Sequence, residues 1–254
     1  MEDIFRRYAT YYDIIYQDKE YSRECSFFEK ILRVYSRSMR GKILELACGT
    51  GGHAIPLAKR GYRISACDMS AGMVELARKK AKAQGVNIAF QVSRMQDFKA
   101  GKGFDAAVIF FASINYLRQA CDIKKTFLNV HSQLKKGGIF TFDFWNGFAV
   151  IGSLTPAGVK VAHSLIYSIR RESSKRLFPM KQLCEVRFKF KVSGADNFKE
   201  EFCEKHLIRY FFPEEMKFYL EMCGFQVLKI CPFMKLDSDL SNRDWDATII
   251  ARKN

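Results

Sequence analysis

The chain has 254 residues, 48% of them hydrophobic and 27% charged. That balance excludes disorder as the default and suits one α/β domain, with or without a large insertion. No stretch approaches the ~20 apolar residues of a membrane span, and the acid-bearing N-terminus lacks the apolar run of a secretory signal, so the expectation is a cytoplasmic protein with no membrane partner. The net charge of +15 favours anionic partners, but Lys and Arg are scattered, as in Arg78-Lys79-Lys80-Ala81-Lys82, and read first as a solvated face. Nucleic acid stays open as a partner without being favoured. The eight cysteines form no C-x-x-C pair and no Cys/His cluster at zinc spacing, so no metal is expected and the thiols read as reduced and mostly buried.

In chain order, residues 1–40 read as helical, with Phe27, Phe28, Ile31, Leu32 and Tyr35 on one face. Gly41 ends this segment. A strand from Lys42 to Ala47 runs into Cys48-Gly-Thr-Gly-Gly52 and a helix containing Ile55, Leu57 and Ala58. A second strand, Tyr62 to Cys67, ends at Asp68, and Ser70 is placed to cap a helix over Ala71 to Ala83. Asn87 to Val92 is a third strand, and Asp105 to Phe111 an apolar one of the kind buried on both faces. A helix from about Asp122 to Leu134 is expected to end in Lys135-Lys136-Gly137-Gly138, before a strand from Ile139 to Phe144. This alternation argues for a doubly wound, mostly parallel sheet.

The alternation then breaks. Cys184 to Val192 alternates polar and apolar with period two, Ser193 to Asn197 is a turn, and Glu201 to Tyr210 can return as a partner strand; Val161 to Ile169 supplies at least one more. Residues 150–209 therefore read as an antiparallel insertion. A helix over Glu214 to Cys223 and strands at Phe225 to Ile230 and Trp245 to Ala251 resume the sheet pattern.

The stretch that carries chemistry is Ile43 to Gly52 followed by Asp68. A strand must stop and a helix start within a few residues, and Gly49 and Gly51 let the backbone turn sharply and approach a ligand. An acidic residue at the tip of the second strand, 19 residues after Gly49, is placed to accept both hydroxyls of a ribose. The geometry suits an adenosine-type cofactor. Ala54 stands where the dinucleotide fingerprint has its third glycine, which that fingerprint tolerates.

Glu45 and the string Ala47-Cys-Gly-Thr-Gly51 resemble the first motif of class I S-adenosylmethionine-dependent methyltransferases. Cys67-Asp-Met-Ser70 with Met73 is similar to the family's second motif, and Leu134 to Asp143 to its late L-x-x-G-G motif. The resemblance implies a Rossmann-like, doubly wound, mostly parallel seven-stranded sheet with an inserted antiparallel β cap, and S-adenosylmethionine as the cofactor. Tyr12-Asp-Ile-Ile-Tyr16 further resembles the N-terminal segment of glycine N-methyltransferase and of the sugar N,N-dimethyltransferases, where it closes over the cofactor. It implies three parts: a helical cofactor lid at 1–40, a methyltransferase domain at 41–149 and 210–254, and a cap at 150–209. The cofactor-binding residues implied are Tyr12, Tyr16, Arg23 for the cofactor carboxylate, Glu45, Ala47, Gly49, Gly51, Asp68, and Phe110 at the end of the fourth strand. The family's Gly-Asp after the third strand is replaced here by Ser93-Arg94-Met95-Gln96-Asp97. Arg94 cannot accept from an adenine amino group, which leaves backbone, Gln96, or packing between Met69 and Met95 to read the base.

Methyl transfer needs alignment and exclusion of water more than acid or base. The acceptor is expected over the carboxyl ends of the strands and under the cap, near Asn115, Tyr116, Asp143, Trp145 and His206. Tyr16, Tyr116 and His206 are the candidate catalytic residues, with His206 or a tyrosine as a base if an amine must lose a proton. The Asn-Pro-Pro-aromatic motif of nucleic-acid amine methyltransferases is absent, Ala112 to Tyr116 standing in its loop. The reading is N- or O-methylation of a small molecule. The alternatives are an RNA or protein methyltransferase using the basic surface, and a cofactor-binding protein without turnover.

Overall fold

A computed structural model describes residues 8–36, 41–153 and 157–254; the ends of the 1–40 segment at 1–7 and 37–40, and residues 154–156 of the insertion, lie outside the described residues. The N-terminal segment folds as two helices, α1 (Tyr8–Ile15) and α2 (Tyr21–Tyr35). Then follow β1 (Lys42–Leu46), α3 (Ala54–Lys59), β2 (Arg63–Asp68), α4 (Ala71–Ala83), β3 (Ala89–Val92), β4 (Phe104–Ile109), a 3-10 turn at Ser113–Tyr116, α5 (Ala120–Gln133), β5 (Leu134–Trp145) and α6 (Gly147–Gly152). The insertion contributes β6 (Gly158–His163), β7 (Tyr167–Phe178), β8 (Leu183–Gly194) and β9 (Lys199–Arg209), before α7 (Pro213–Met222), β10 (Phe225–Pro232) and β11 (Asp246–Lys253).

Seven strands form one sheet in the order β10-β11-β5-β4-β1-β2-β3. β3, β2, β1, β4 and β5 run parallel, and β11 and β10 pair antiparallel at the edge. From Ala106 onward β4 is apolar because both faces are covered: Ala106 and Val108 face the layer of α2, α3 and α4, while Ala107 and Ile109 face that of α5 and α7. The strand order reverses between β1 and β4, so the crevice of an open α/β sheet opens at their carboxyl ends. Ser70 caps α4, its hydroxyl accepting from the Met73 amide, which is worth ~1 kcal/mol.

The second sheet, β6-β7-β8-β9, is antiparallel throughout. Its strands alternate: Phe188, Phe190 and Val192 turn inward, and Arg187, Lys189 and Lys191 face solvent. α1 lies between the two sheets. Tyr8, Tyr11 and Ile15 pack on Ile169, Phe190 and Phe202, and the Tyr11 hydroxyl donates to Glu200 at 2.6 Å. On its other side Asp13 accepts from Thr50 at 2.6 Å and from Lys80 at 2.7 Å, tying α1 to the glycine turn and to α4.

Three expectations change. Val161 to Ile169, expected to supply at least one strand, spans the hairpin between β6 and β7, because the Ser164 hydroxyl accepts from the Ile166 and Tyr167 amides and turns the chain back. Lys135 to Gly138 do not close α5. That helix stops at Gln133, whose side chain is held by the Phe98 carbonyl and the Ala100 amide, and the four residues enter β5 with Gly137 at φ 77° and a register shift against β4. The N-terminal helical segment is interrupted between Ile15 and Tyr21, which turns Lys19 inward. Among the described residues no helix is long and apolar enough to cross a membrane.

Candidate active site

Where β1 ends, Ala47 and Gly49 take φ values of 56° and 55°, a conformation that costs a side-chain-bearing residue. A Cβ on Gly49 would meet no protein atom within 4 Å, because it would project into a cavity that Gly49 lines. Gly51 serves packing instead: its Cβ would lie 3.3 Å from Ala77 and Ile55. At Gly52 a Cβ would stand 2.4 Å from the Tyr21 ring, so α2 docks directly on the turn. Asp68, at the tip of β2, is 9% exposed; one carboxylate oxygen accepts from the Gly49 amide and the other from the Ser70 amide, each at 2.9 Å. Burial raises its pKa, against those backbone hydrogen bonds. Beneath the turn, Glu45 is buried with Oε2 lacking a hydrogen-bond partner among the described residues, and burial together with the Asp68 charge pushes its carboxyl up to about 8.

Two cavities meet at this point. Ala47, Asp68, Ser113 and Tyr116 line both. The smaller, about 190 Å³, lies between Met69, Met95 and Gln96 on one side and Leu117 to Gln119 on the other. Arg94 also borders it and reaches Asp122 at 3.5 Å.

The larger cavity, about 430 Å³, is floored by the strand ends and roofed by α1 and the antiparallel sheet. Tyr12 and Tyr16 line it from the lid, and Tyr116 and His206 meet across it, the phenol oxygen 2.8 Å from Nδ1. Burial and then the Arg171 charge lower the His206 pKa to about 4, and burial drives the Tyr116 phenol far above its usual value. Asp143, also lining, accepts from the Ala112 amide at 2.5 Å, and burial followed by the Asp246 charge pushes its carboxyl up to about 8. Trp145 lies beside it on the floor.

Of the residues named from sequence, Tyr12, Tyr16, Ala47, Gly49, Asp68, Tyr116, Asp143, Trp145 and His206 line the larger cavity, and Met69, Met95 and Gln96 the smaller. Glu45 and Gly51 support the floor from below. Three stand elsewhere. Arg23 is solvent-exposed, outside both cavity linings, and paired with Glu20 at 3.0 Å. Phe110 points under the turn, stacked on His53 at 4.0 Å. Asn115 is buried beside the cavity, accepting from the Trp145 amide.

The residues that occupy these places were not expected. Lys19, in the break between α1 and α2, lines the cavity, pairs with Glu24, and holds its ammonium 4.0 Å from the Phe111 ring. Glu24 also bonds His53 at 2.6 Å, so a buried Lys19–Glu24–His53 chain links lid and glycine turn. Phe111, rather than Phe110, faces the cavity because the chain takes φ 59° there. Arg171, Ser173 and Lys175 enter from β7 on the face of buried Ile169, in a polar run that carries no period-two signal.

Residues 43–138 match the family model described as a methyltransferase domain. The Bacillus subtilis (strain 168) protein named "Putative methyltransferase YqeM" is 30% identical over 228 residues, covering 89% of this chain and 88% of that protein. This chain is an S-adenosylmethionine-dependent methyltransferase. The methyltransferase is also similar, at 25% identity over 87% of its length and 90% of the relative's, to dTDP-3-amino-3,4,6-trideoxy-alpha-D-glucopyranose N,N-dimethyltransferase of Streptomyces venezuelae. Its fold matches that of an S-adenosylmethionine-dependent methyltransferase from Clostridium acetobutylicum ATCC 824, with a TM-score of 0.81, 22% identity and 96% of each chain covered. The residues of the site fit the cofactor: the open space over Gly49 and the acidic tip of β2 suit a ligand with ribose hydroxyls.

Proposed function

We propose that the methyltransferase transfers its methyl group to a nitrogen or oxygen of a small molecule held in the larger cavity. The observation that carries this reading is a roofed, partly open cleft: a space of about 430 Å³ between strand ends, α1 and the antiparallel sheet, joined to the smaller cavity at Asp68 and Tyr116. A cleft of that size suits a compact acceptor, whose binding displaces water. The S. venezuelae relative named as an amino-sugar N,N-dimethyltransferase supports it.

S-adenosylmethionine, when bound, supplies a methyl group on an already activated sulfonium. The chain's task is to hold and align. In this reading Asp68 takes the ribose hydroxyls, Met69, Met95 and Gln96 bound the adenine, and Lys19 faces the cofactor carboxylate in the role expected of Arg23. Tyr12 and Tyr16 close the lid from residues 1–40 over the domain of 41–149 and 210–254, and residues 150–209 form the cap. With its pKa near 4, His206 is a neutral imidazole at neutral pH. It therefore orients the Tyr116 phenol, and the pair presents a fixed hydrogen-bonding group beside the transfer point while storing no proton.

A panel of small amines, phenols and acids, assayed for S-adenosylhomocysteine release beside bulk tRNA and rRNA, tests the reading. Turnover on at least one small acceptor is expected. Turnover on RNA alone, abolished by high salt, would overturn it.

A further inference from the structure

The roof of the cavity carries a positive charge that the floor does not answer. β7 turns Arg171, Ser173 and Lys175 inward together. Lys175 and Lys19 both act on Asp246, and Lys19 also pairs with Glu24, so each lysine has a carboxylate near it. Arg171 acts on the exposed Asp18, but has no carboxylate within ion-pair reach among the described residues. Its Nη1 donates to the Tyr16 hydroxyl at 3.1 Å, its Nε is buried without a hydrogen-bond partner among the described residues, and Phe188 packs 4.7 Å from the guanidinium carbon. Withdrawing a guanidinium from water without a counter-charge is costly, and its planar fork matches a carboxylate or phosphate.

We infer that the acceptor carries an anionic group, a carboxylate or a phosphate, and that Arg171 holds it; the Ser173 hydroxyl is committed to the Gly158 backbone. The inference rests on the reading of the larger cavity as the acceptor site. The cofactor's own carboxylate is the other source of such an anion. Arg171 nevertheless belongs to the roof: Tyr16 and Phe188 touch it, and its charge acts on His206. Lys19 serves the floor at the Phe111 side. The anion would anchor one end of the acceptor under β7, leaving the other end to reach the junction at Tyr116.

The test uses the full chain saturated with S-adenosylhomocysteine and titrates phenyl phosphate, benzoate and, as the uncharged control, benzyl alcohol by calorimetry. At least one anion should bind ten times more tightly than benzyl alcohol. Arg171→Met should remove that preference at least tenfold, Arg171→Lys should recover part of it, and S-adenosylhomocysteine affinity should stay within twofold. Thermal unfolding reports whether each variant folds; if Arg171→Met does not, a partial loss of anion preference in Arg171→Lys carries the result. No anion preference in the wild type, or one that survives the substitutions, overturns the inference. So does a tenfold loss of S-adenosylhomocysteine affinity with anion binding intact, which would assign Arg171 to the cofactor. Failure of the wild type to bind S-adenosylhomocysteine at all would instead overturn the reading of the site on which the inference rests.

Discussion

The floor and the roof of the larger cavity are built on different physical principles. The floor is mostly backbone: Ala47 and Gly49 at positive φ, amides donating to Asp68, and the Ala112 amide donating to Asp143. The roof is side chain: on β7, β8 and β9 every second residue enters the cavity, so Arg171, Phe188 and His206 define its shape and charge. A floor of this kind tolerates few substitutions and serves one constant ligand. A roof of alternating side chains can change its ligand with a single substitution and no change of backbone. In the proposed function the cofactor belongs with the floor and the acceptor with the roof.

Four substitutions sharpen or break that division. The largest effect is expected at Asp143. An unfolded aspartate ionises near pH 4, whereas the folded carboxyl keeps its proton to about 8. The stability from its neutral form is present in full below about pH 4 and lost as pH rises toward 8. Asp143→Asn should accordingly gain on the wild type over that window, on the order of several kcal/mol at its upper end, in denaturant titrations run at pH 4, 6 and 8. A constant difference would remove Asp143 from the buried floor. Next, Glu24→Ala strands Lys19 and His53 in the buried chain that joins lid to floor, and should cost about 3 kcal/mol of stability, read from the urea midpoint.

Gly52→Ala brings a methyl group against the Tyr21 ring and should cost about 1–3 kcal/mol. If α2 docking matters to the floor, cofactor affinity by calorimetry should fall with it; stability loss with unchanged affinity would separate the two. The smallest effect is expected from Tyr116→Phe, which deletes the bond to His206 and should lower kcat by about tenfold, equivalent to ~1.4 kcal/mol, with cofactor Kd nearly constant. A Kd that rises as much as kcat falls would assign Tyr116 to the cofactor instead.

The same division explains what could be read from the sequence. Backbone chemistry demands glycines and an acidic strand end at fixed spacing, so β1, the glycine turn and Asp68 stood out, and α4 runs from Ala71 to Ala83 as its cap and periodicity predict. The parallel order followed from the strand-helix alternation. The roof gave weaker signals. Period two identified β8 but did not separate β6 from β7 within Val161 to Ile169, because a turn made by the Ser164 hydroxyl carries no glycine or proline to mark it. Arg23 was the cation that the family resemblance implied for the cofactor carboxylate. The break between α1 and α2 turns Lys19 inward instead and leaves Arg23 on the solvent face. Phe110 and Phe111 differ by one residue and a left-handed φ that no local pattern announces.

The most direct measurement of the division is calorimetric titration of S-adenosylhomocysteine into the wild type, Asp68→Ala and Phe188→Ala. Loss of hydrogen bonds to a charged acceptor should cost Asp68→Ala roughly 1.5–3 kcal/mol, or about tenfold to a hundredfold in Kd, while Phe188→Ala stays within twofold of the wild type. Equal losses in the two variants, or none in Asp68→Ala, would contradict a floor that binds the cofactor beneath a roof that selects the acceptor.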